Sequence, residues 1–417
     1  MARLHITGGS ALTGTVKISG AKNAAVAMIP AALLTEAPVR IDNLPDIKDI
    51  RVLVEILKYL GVKVIWQSPS ALAIDPSSLN RWQPPYDLVK MLRASYYFLG
   101  ALVGRYGRAE VPVPGGCDLG PRPIDQHIKG LAALGADVNV EHGLIKVEAK
   151  KLKGTNIYLD VVSVGATINI MLAATRAEGK TVIENAAKEP EIVDVANFLN
   201  AMGAKIRGAG TDVIRITGVD NLGPVTHTVI PDRIEAGTYM IAAAATGGDV
   251  VLQDVIPKHL DPITAKLREM EIEVEEAGDK IRVLGNTYPA AADIKTFPYP
   301  GFPTDLQSLS MVLLTQAEGN SVITENVFEN RFKHVDELKR MGAKIKVEGR
   351  TALIEGRTRL TGAPVKACDL RAGAAFIIAG LIAEGETVIS DINHIYRGYE
   401  KICEKMAALG AQIKEIE

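Results

Sequence analysis

The residue most suited to chemistry in this 417-residue chain is a thiol set between turn-formers. Cys117 lies in VPVPGGCDLGPRP, residues 111–123, where prolines 112, 114, 121 and 123 and glycines 115, 116 and 120 fill 7 of 13 positions. Such a stretch reads as an exposed loop able to act as a lid. A lone cysteine is most often an inert buried hydrophobe. Here the neighbours that would bury it are missing, and Arg122, five residues on, favours the reactive thiolate. A functional thiol is therefore the stronger reading. Cys368 and Cys403 read as packing residues, the first ending a strand and the second inside the helical YEKICEKMAALG.

A second chemistry is suggested by polar residues at the starts of apolar, small-residue segments. Lys22-Asn23, Arg93-Ala94-Ser95, Ser163-Val164-Gly165, Asp232-Arg233, Thr304-Asp305 and Asp369-Leu370-Arg371 each precede one. A helix N-terminus presents unpaired N–H groups and a partial positive charge, which suits phosphates and carboxylates. With Lys22, Arg93, Arg122, Arg331, Arg371 and Arg397 added, the expectation is a cationic cleft between two halves of the molecule. For any single arginine, a surface ion pair is the better reading; for the set, at equivalent points of a repeat, the cleft is.

The repeat supplies the elements that must position these groups. A Leu/Met-Gly pair followed by alternating polar and β-branched residues occurs at Leu60-Gly61, Leu134-Gly135, Met202-Gly203, Met341-Gly342 and Leu409-Gly410, with Met270-Glu271 a degenerate copy. Six units of about 70 residues result. In each, an amphipathic helix ends at the glycine, which can take the left-handed conformation. A short alternating strand such as AKIKV follows. The second helix, as in VGATINIMLAAT or LRAGAAFIIAGLIA, has almost no charged face and must be buried. The predicted fold is α/β, with two inside-out domains of three βαβ-type repeats around buried central helices. Hairpin-like neighbours argue against a simple parallel sheet. The break is expected near residues 218–227, and by pattern alone the N-terminal strand could complete either half.

Composition narrows the function classes. With 47 basic and 49 acidic side chains there is no global basic field, so nucleic acid is not an expected partner. The longest greasy run, Ala374 to Ala383, is too short to span a membrane. The first residues, MARLHITGGS, carry no apolar signal segment, and three cysteines make no pairing framework. The expectation is a soluble, reduced, cytoplasmic protein. No metal is expected, because the seven histidines form no His-x-x-x-His pair and no Cys/His cluster exists. ATRAEGKT, 174–181, is one glycine short of a phosphate loop, and its Ala-Glu-Gly returns at 317–319 and 383–385 as a helix end and turn.

Seven segments together carry a resemblance: ISGAKNAA (18–25), PGGCDLGPRPID (114–125), VSVGAT (162–167), ENAAKEPEIVD (184–194), FPTD (302–305), TENVFENRF (324–332) and DLRAGAA (369–375). In these the chain resembles the UDP-N-acetylglucosamine enolpyruvyl transferases over essentially its whole length. The resemblance implies the enolpyruvyl transferase fold, with domains at 22–228 and at 1–21 plus 229–417, the N-terminal strand joining the C-terminal half. It implies enolpyruvyl transfer from phosphoenolpyruvate to the 3′-hydroxyl of UDP-N-acetylglucosamine with release of phosphate, the first committed step of peptidoglycan synthesis. No cofactor is implied, and no oligomeric state is assigned.

By the same resemblance, Cys117 is the general acid and the target of phosphoenolpyruvate-like epoxides such as fosfomycin. Asp305 binds the 3′-hydroxyl and is the leading candidate base. Lys22, Arg122 and Arg397 grip phosphoenolpyruvate, with Asn23 nearby. Arg93, the run Arg122, Pro123, Ile124, Asp125 and Gln126, then Ser163, Val164, Gly165 and Val327 line the sugar-nucleotide site. Arg331 and Arg371 shape the field and Asp369 assists proton movement. Some relatives carry lysine just before the Val-Ser-Val-Gly turn; this chain has Val161 and Val162, so helix N–H groups must supply that diphosphate contact. Asp305 also reads as a plain N-cap on FPTDLQSL, and Lys22 as solvated surface. Two alternatives compete: the fold-sharing transferase acting on shikimate 3-phosphate, which needs no Gly-Gly-Cys segment, and a catalytically inactive nucleotide-sugar-binding scaffold.

Overall fold

The computed structural model describes residues 2–113 and 124–416. Cys117, Arg122 and Pro123 therefore lie outside the described residues. The described residues divide into two units, one built from residues 20–113 and 124–230, the other from 2–19 and 231–416.

In the first unit, three helices rich in alanine and aliphatic residues form the centre: α1 (Lys22–Ala31), α2 (Tyr97–Tyr106) and α3 (Val164–Ala174). Gly165 to Ala174 are all buried, so α3 has no solvent face. Close packing of α2 on α3 depends on glycine: a Cβ at Gly100 would meet the carbonyl oxygen of Asn169 at 2.2 Å. The second unit repeats the plan with α4 (Arg233–Ala245), α5 (Gln307–Leu314) and α6 (Leu370–Ile382). Each unit has its own apolar core, one drawn from residues between Ala21 and Val229, the other from Leu4 to Ile18 and Ile234 to Ala411.

Among the described residues, each unit carries three sheets, five of the six four-stranded. The four-stranded sheets share one wiring, one parallel pair and two antiparallel pairs; the three-stranded sheet has the two antiparallel pairs alone. Val39–Asp42 runs parallel to Val225–Thr228 and antiparallel to Ala71–Asp75, which in turn pairs with Lys63–Ser68. The mixed pattern agrees with the hairpin argument from sequence. In the second unit, Arg3–Thr7 lies antiparallel between Glu386–Ser390 and Gln412–Ile416, and Thr13–Lys17 lies parallel to Asp249–Gln253. The N-terminal strands are thus structural members of the C-terminal half.

The helix-ending glycines adopt the left-handed region as their spacing predicts: Gly61, Gly135, Gly203, Gly342 and Gly410 have φ between +90° and +108°. The degenerate copy keeps the geometry without glycine, for Glu271 has φ of 60°. A second left-handed set closes strands: Asn43, Asn185, Asp254 and Asp391, with φ of 56° or 57°. Asn and Asp tolerate this region, and their side chains reach the neighbouring parallel strand. Asn43 Nδ2 donates to the Val229 carbonyl, and Asp254 pairs with Lys17 at 2.9 Å.

Candidate active site

In the first unit, Lys22 opens α1 and its Nζ lies 2.8 Å from Asp49 Oδ2, with side chains only 11% and 3% exposed. It is not solvated surface. Asp49 belongs to the first turn of the amphipathic helix Lys48–Tyr59, where sequence suggests nothing beyond a favourable dipole contact. Asn23 follows, half-buried. Arg93 begins the short turn Arg93–Tyr96 that leads into α2, its guanidinium 5.9 Å from the Tyr96 ring. Burial pulls that guanidinium below its ordinary pKa.

Ile124, Asp125 and Gln126 start the helix Asp125–Ala133. The Gln126 amide is engaged at both ends: Oε1 accepts from Asp160 N at 3.0 Å, and Nε2 donates to Asp160 Oδ2 at 3.1 Å and to Asp125 Oδ2 at 3.0 Å. Asp160 leads into the segment before α3. There Val161 and Val162 are exposed, and Ser163 is the N-cap, its Oγ accepting from Ala166 N at 3.2 Å. Val164 and Gly165 are the first two residues of α3. A Cβ at Gly165 would stand 2.7 Å from the Tyr96 hydroxyl and 3.0 Å from His127 Cε1, so only glycine fits without displacement.

In the second unit, Asp305 lies in the turn Thr304–Leu306 before α5. It is not the N-cap suggested by sequence; Pro303 holds that place. The Asp305 carboxylate instead accepts from Arg331 Nη2 at 3.0 Å, from Arg371 Nε at 3.1 Å and from Arg371 Nη2 at 2.8 Å. Burial alone would raise its pKa; the two guanidinium groups reverse that and hold it far below the usual carboxylate range. Both arginine side chains are under 10% exposed, against 27% for Asp305. Asp369 is the N-cap of α6, its Oδ1 accepting from Arg371 N at 2.8 Å and Ala372 N at 2.9 Å. It thereby fixes the backbone of the residue that clamps Asp305.

Val327 is tied down by a residue that sequence reasoning passed over. Its N–H donates to Glu325 Oε1 at 2.8 Å, as does Phe328 N at 3.1 Å. Glu325, fully buried, also accepts from Thr296 Oγ1 at 2.8 Å and, through Oε2, from Thr304 Oγ1 at 2.9 Å. One carboxylate thus joins the turn carrying Asp305 to the turn carrying Val327. Arg397 ends the 3₁₀ segment Ile392–Arg397, half-buried. The described cysteines are poor nucleophiles: burial pushes the Cys368 thiol up to about 12, and burial also raises Cys403. Among the described residues, no group of three or more His, Cys, Asp and Glu side chains could hold a metal ion, and no helix is long and apolar enough to cross a membrane.

Residues 6–406 match the family model described as EPSP synthase (3-phosphoshikimate 1-carboxyvinyltransferase). Over 416 residues, covering all of both chains, the sequence is 61% identical to UDP-N-acetylglucosamine 1-carboxyvinyltransferase 3 of Caldanaerobacter subterraneus subsp. tengcongensis. It is 59% identical to the UDP-N-acetylglucosamine 1-carboxyvinyltransferase of Clostridium botulinum over 99% of each chain. The chain belongs to the UDP-N-acetylglucosamine 1-carboxyvinyltransferase family. Among solved structures, the enolpyruvyl transferase NikO of Streptomyces tendae is 28% identical with a TM-score of 0.91, covering 99% of this chain and 98% of that one. An EPSP synthase of Acinetobacter baumannii, 20% identical with a TM-score of 0.76 over the full length of both chains, shares the fold. The architecture is therefore the enolpyruvyl transferase fold, and the UDP-N-acetylglucosamine 1-carboxyvinyltransferase family is one of transferase enzymes.

Proposed function

We propose that this chain transfers the enolpyruvyl group of phosphoenolpyruvate to the 3′-hydroxyl of UDP-N-acetylglucosamine, releasing phosphate, in the cytoplasm and for peptidoglycan synthesis. The observation that carries this reading is full-length identity of 57–61% to relatives of that name. The reaction adds the hydroxyl oxygen to C2 of phosphoenolpyruvate while C3 gains a proton; loss of a C3 proton then expels phosphate from C2.

Cys117 supplies the proton to C3 from its thiol, and Arg122 favours the thiolate that this transfer leaves. Lys22, Arg122 and Arg397 carry the phosphate and carboxylate charge, with Asn23 beside them. Asp305 accepts a hydrogen bond from the 3′-hydroxyl. Clamped by Arg331 and Arg371, it is a weak base toward a free alcohol. It takes the proton only as C–O bond formation acidifies that oxygen, which makes positioning its first task. Ser163, Val164 and Gly165 offer helix N–H groups to the diphosphate, and Arg93, Pro123, Ile124, Asp125, Gln126 and Val327 shape the nucleotide-sugar site. Asp369 acts through Arg371 as a positioning residue.

The test is phosphate release from phosphoenolpyruvate with each acceptor in turn. Release with UDP-N-acetylglucosamine and none with shikimate 3-phosphate is the expected result; the reverse overturns the proposal. No release with either acceptor returns the inactive-scaffold alternative.

A further inference from the structure

We propose that His127 binds a phosphoryl oxygen of the nucleotide-sugar substrate as a neutral imidazole carrying its proton on Nε2, beside the N-terminus of α3. The inference rests on the substrate reading above and adds a donor that it does not contain.

The tautomer follows from hydrogen-bond bookkeeping around Asn169, which is fully buried on α3. Asn169 Oδ1 accepts from Gly100 N at 2.6 Å, so the amide cannot be turned over. Its Nδ2 then faces two groups, the Tyr96 carbonyl at 3.0 Å and His127 Nδ1 at 3.0 Å. An amide nitrogen can only donate, so Nδ1 is an acceptor and bears no proton. A neutral ring in that state carries its hydrogen on Nε2, and a charged ring would set N–H against N–H. Burial, with Arg93 adding to it and Asp125 opposing, pulls the His127 pKa down to about 4, which agrees with a ring that stays neutral.

His127 is 5% exposed, and its Nε2 has no hydrogen-bond partner among the described residues. The position a Cβ would take on Gly165 is 3.0 Å from Cε1 and 3.1 Å from Nε2, so this edge of the ring borders the first turn of the 11-residue α3. Ser163 Oγ caps Ala166 N there, leaving the N–H groups of Val164 and Gly165 as first-turn donors. Three donors without an acceptor suit an anionic oxygen. Packing alone accounts for the edge-on contact of the ring with Tyr96, 4.5 Å between centroids, but it gives the Nε2 proton no acceptor among the described residues. In a chain with Val161 and Val162 before the turn, such a donor replaces part of what a lysine would contribute.

The experiment uses the full chain labelled with ¹⁵N-histidine and records ring-nitrogen resonances at neutral pH, alone, with UDP and with uridine. Expected are an Nε2–H tautomer for His127 in the free protein, and a shift of that resonance with UDP but not with uridine. An Nδ1–H tautomer, a charged ring, or no response at saturating UDP overturns the proposal. Kinetics give the second readout. His127→Phe keeps the ring contact and should raise KM for UDP-N-acetylglucosamine by about 10-fold, the scale of one hydrogen bond to a charged group, with kcat little changed. His127→Gln, whose amide can reach the same point, should recover most of that loss; an unchanged KM in His127→Phe overturns the proposal. If the unmodified protein fails to turn over this substrate, the functional reading falls, while the UDP titration still decides the role of His127.

Discussion

Arg371 donates from both Nε and Nη2 to a single oxygen of Asp305, at 3.1 and 2.8 Å. Arg331 takes the other oxygen at 3.0 Å, so the carboxylate is saturated on its protein side and ionised at any physiological pH. Asp305→Asn should lower kcat by about 100-fold or more, the scale of a positioned proton acceptor. It should also destabilise the fold at neutral pH by about 3 kcal/mol, because two buried guanidinium groups lose their counter-charge. The folded-state pKa lies below the unfolded one, so this contribution is fully present above about pH 4 and fades as pH falls below it. Thermal denaturation of both proteins from pH 7 to pH 3 checks this: the gap should stay constant to about pH 4 and then narrow. A gap that widens on acidification would contradict the clamp.

The three cysteines should react unequally. Burial raises the thiol pKa of Cys368 to about 12 and lifts Cys403 as well, so neither offers much thiolate at neutral pH. Cys117 lies outside the described residues and is assigned from its Gly-Gly setting. Fosfomycin, a small epoxide, should add once per chain, at Cys117, read by intact mass and peptide mapping. Cys117→Ala should abolish turnover. Cys117→Asp should keep some, since a carboxylic acid can still donate a proton, while losing sensitivity to the epoxide. Modification of Cys368 or Cys403 at a comparable rate would refute the ranking.

Why some features were legible in sequence and others not follows from where their determinants lie. The Leu/Met-Gly pairs mark helix ends because the left-handed geometry is local, and Glu271 shows the same backbone need met without glycine. The left-handed Asn43, Asn185, Asp254 and Asp391 obey an equally local rule, but single Asn and Asp residues are too common for the spacing to stand out. Which half the N-terminal strands join was not readable from their pattern, since pairing with Glu386–Ser390 spans almost the whole chain. Among the candidate residues, placement at helix starts was readable from type and position. Asp49, Asn169 and Glu325 were missed because a buried polar side chain is defined by a partner on a distant element. The cap reading of Asp305 failed for the same reason: two arginines remote in sequence outbid the local backbone N–H groups.

The Lys22–Asp49 pair predicts an electrostatic role for a residue with no assigned function. Asp49 is 3% exposed and Lys22 11%, so removing the carboxylate leaves an ammonium in a poorly solvated place. Asp49→Asn should therefore destabilise the unit by about 3 kcal/mol and weaken phosphoenolpyruvate binding. Thermal denaturation and the steady-state KM for phosphoenolpyruvate check it. A KM that is unaffected, or that improves, would show that Asp49 competes with the ligand for Lys22 rather than holding it in place.

Glu325 is another missed residue, and its hydrogen bonds separate positioning from charge. Asn326 N donates to Thr296 Oγ1 at 3.0 Å, which leaves the Thr296 hydrogen for Glu325, and Thr304 Oγ1 and two backbone N–H groups complete four donors around one carboxylate. Glu325→Gln places an NH₂ where acceptors are needed, so at least one donor must turn away or lose its partner. Destabilisation of about 1–3 kcal/mol per stranded group follows. Because Thr304 adjoins Asp305 and the two N–H groups belong to Val327 and Phe328, loosening should disturb both turns at once. The expected kinetic signature is a raised KM for the sugar nucleotide together with a lowered kcat, whereas His127→Phe should affect KM alone. A Glu325→Gln protein that melts several degrees lower yet keeps both constants would reduce Glu325 to a stability residue and uncouple the two turns from the chemistry.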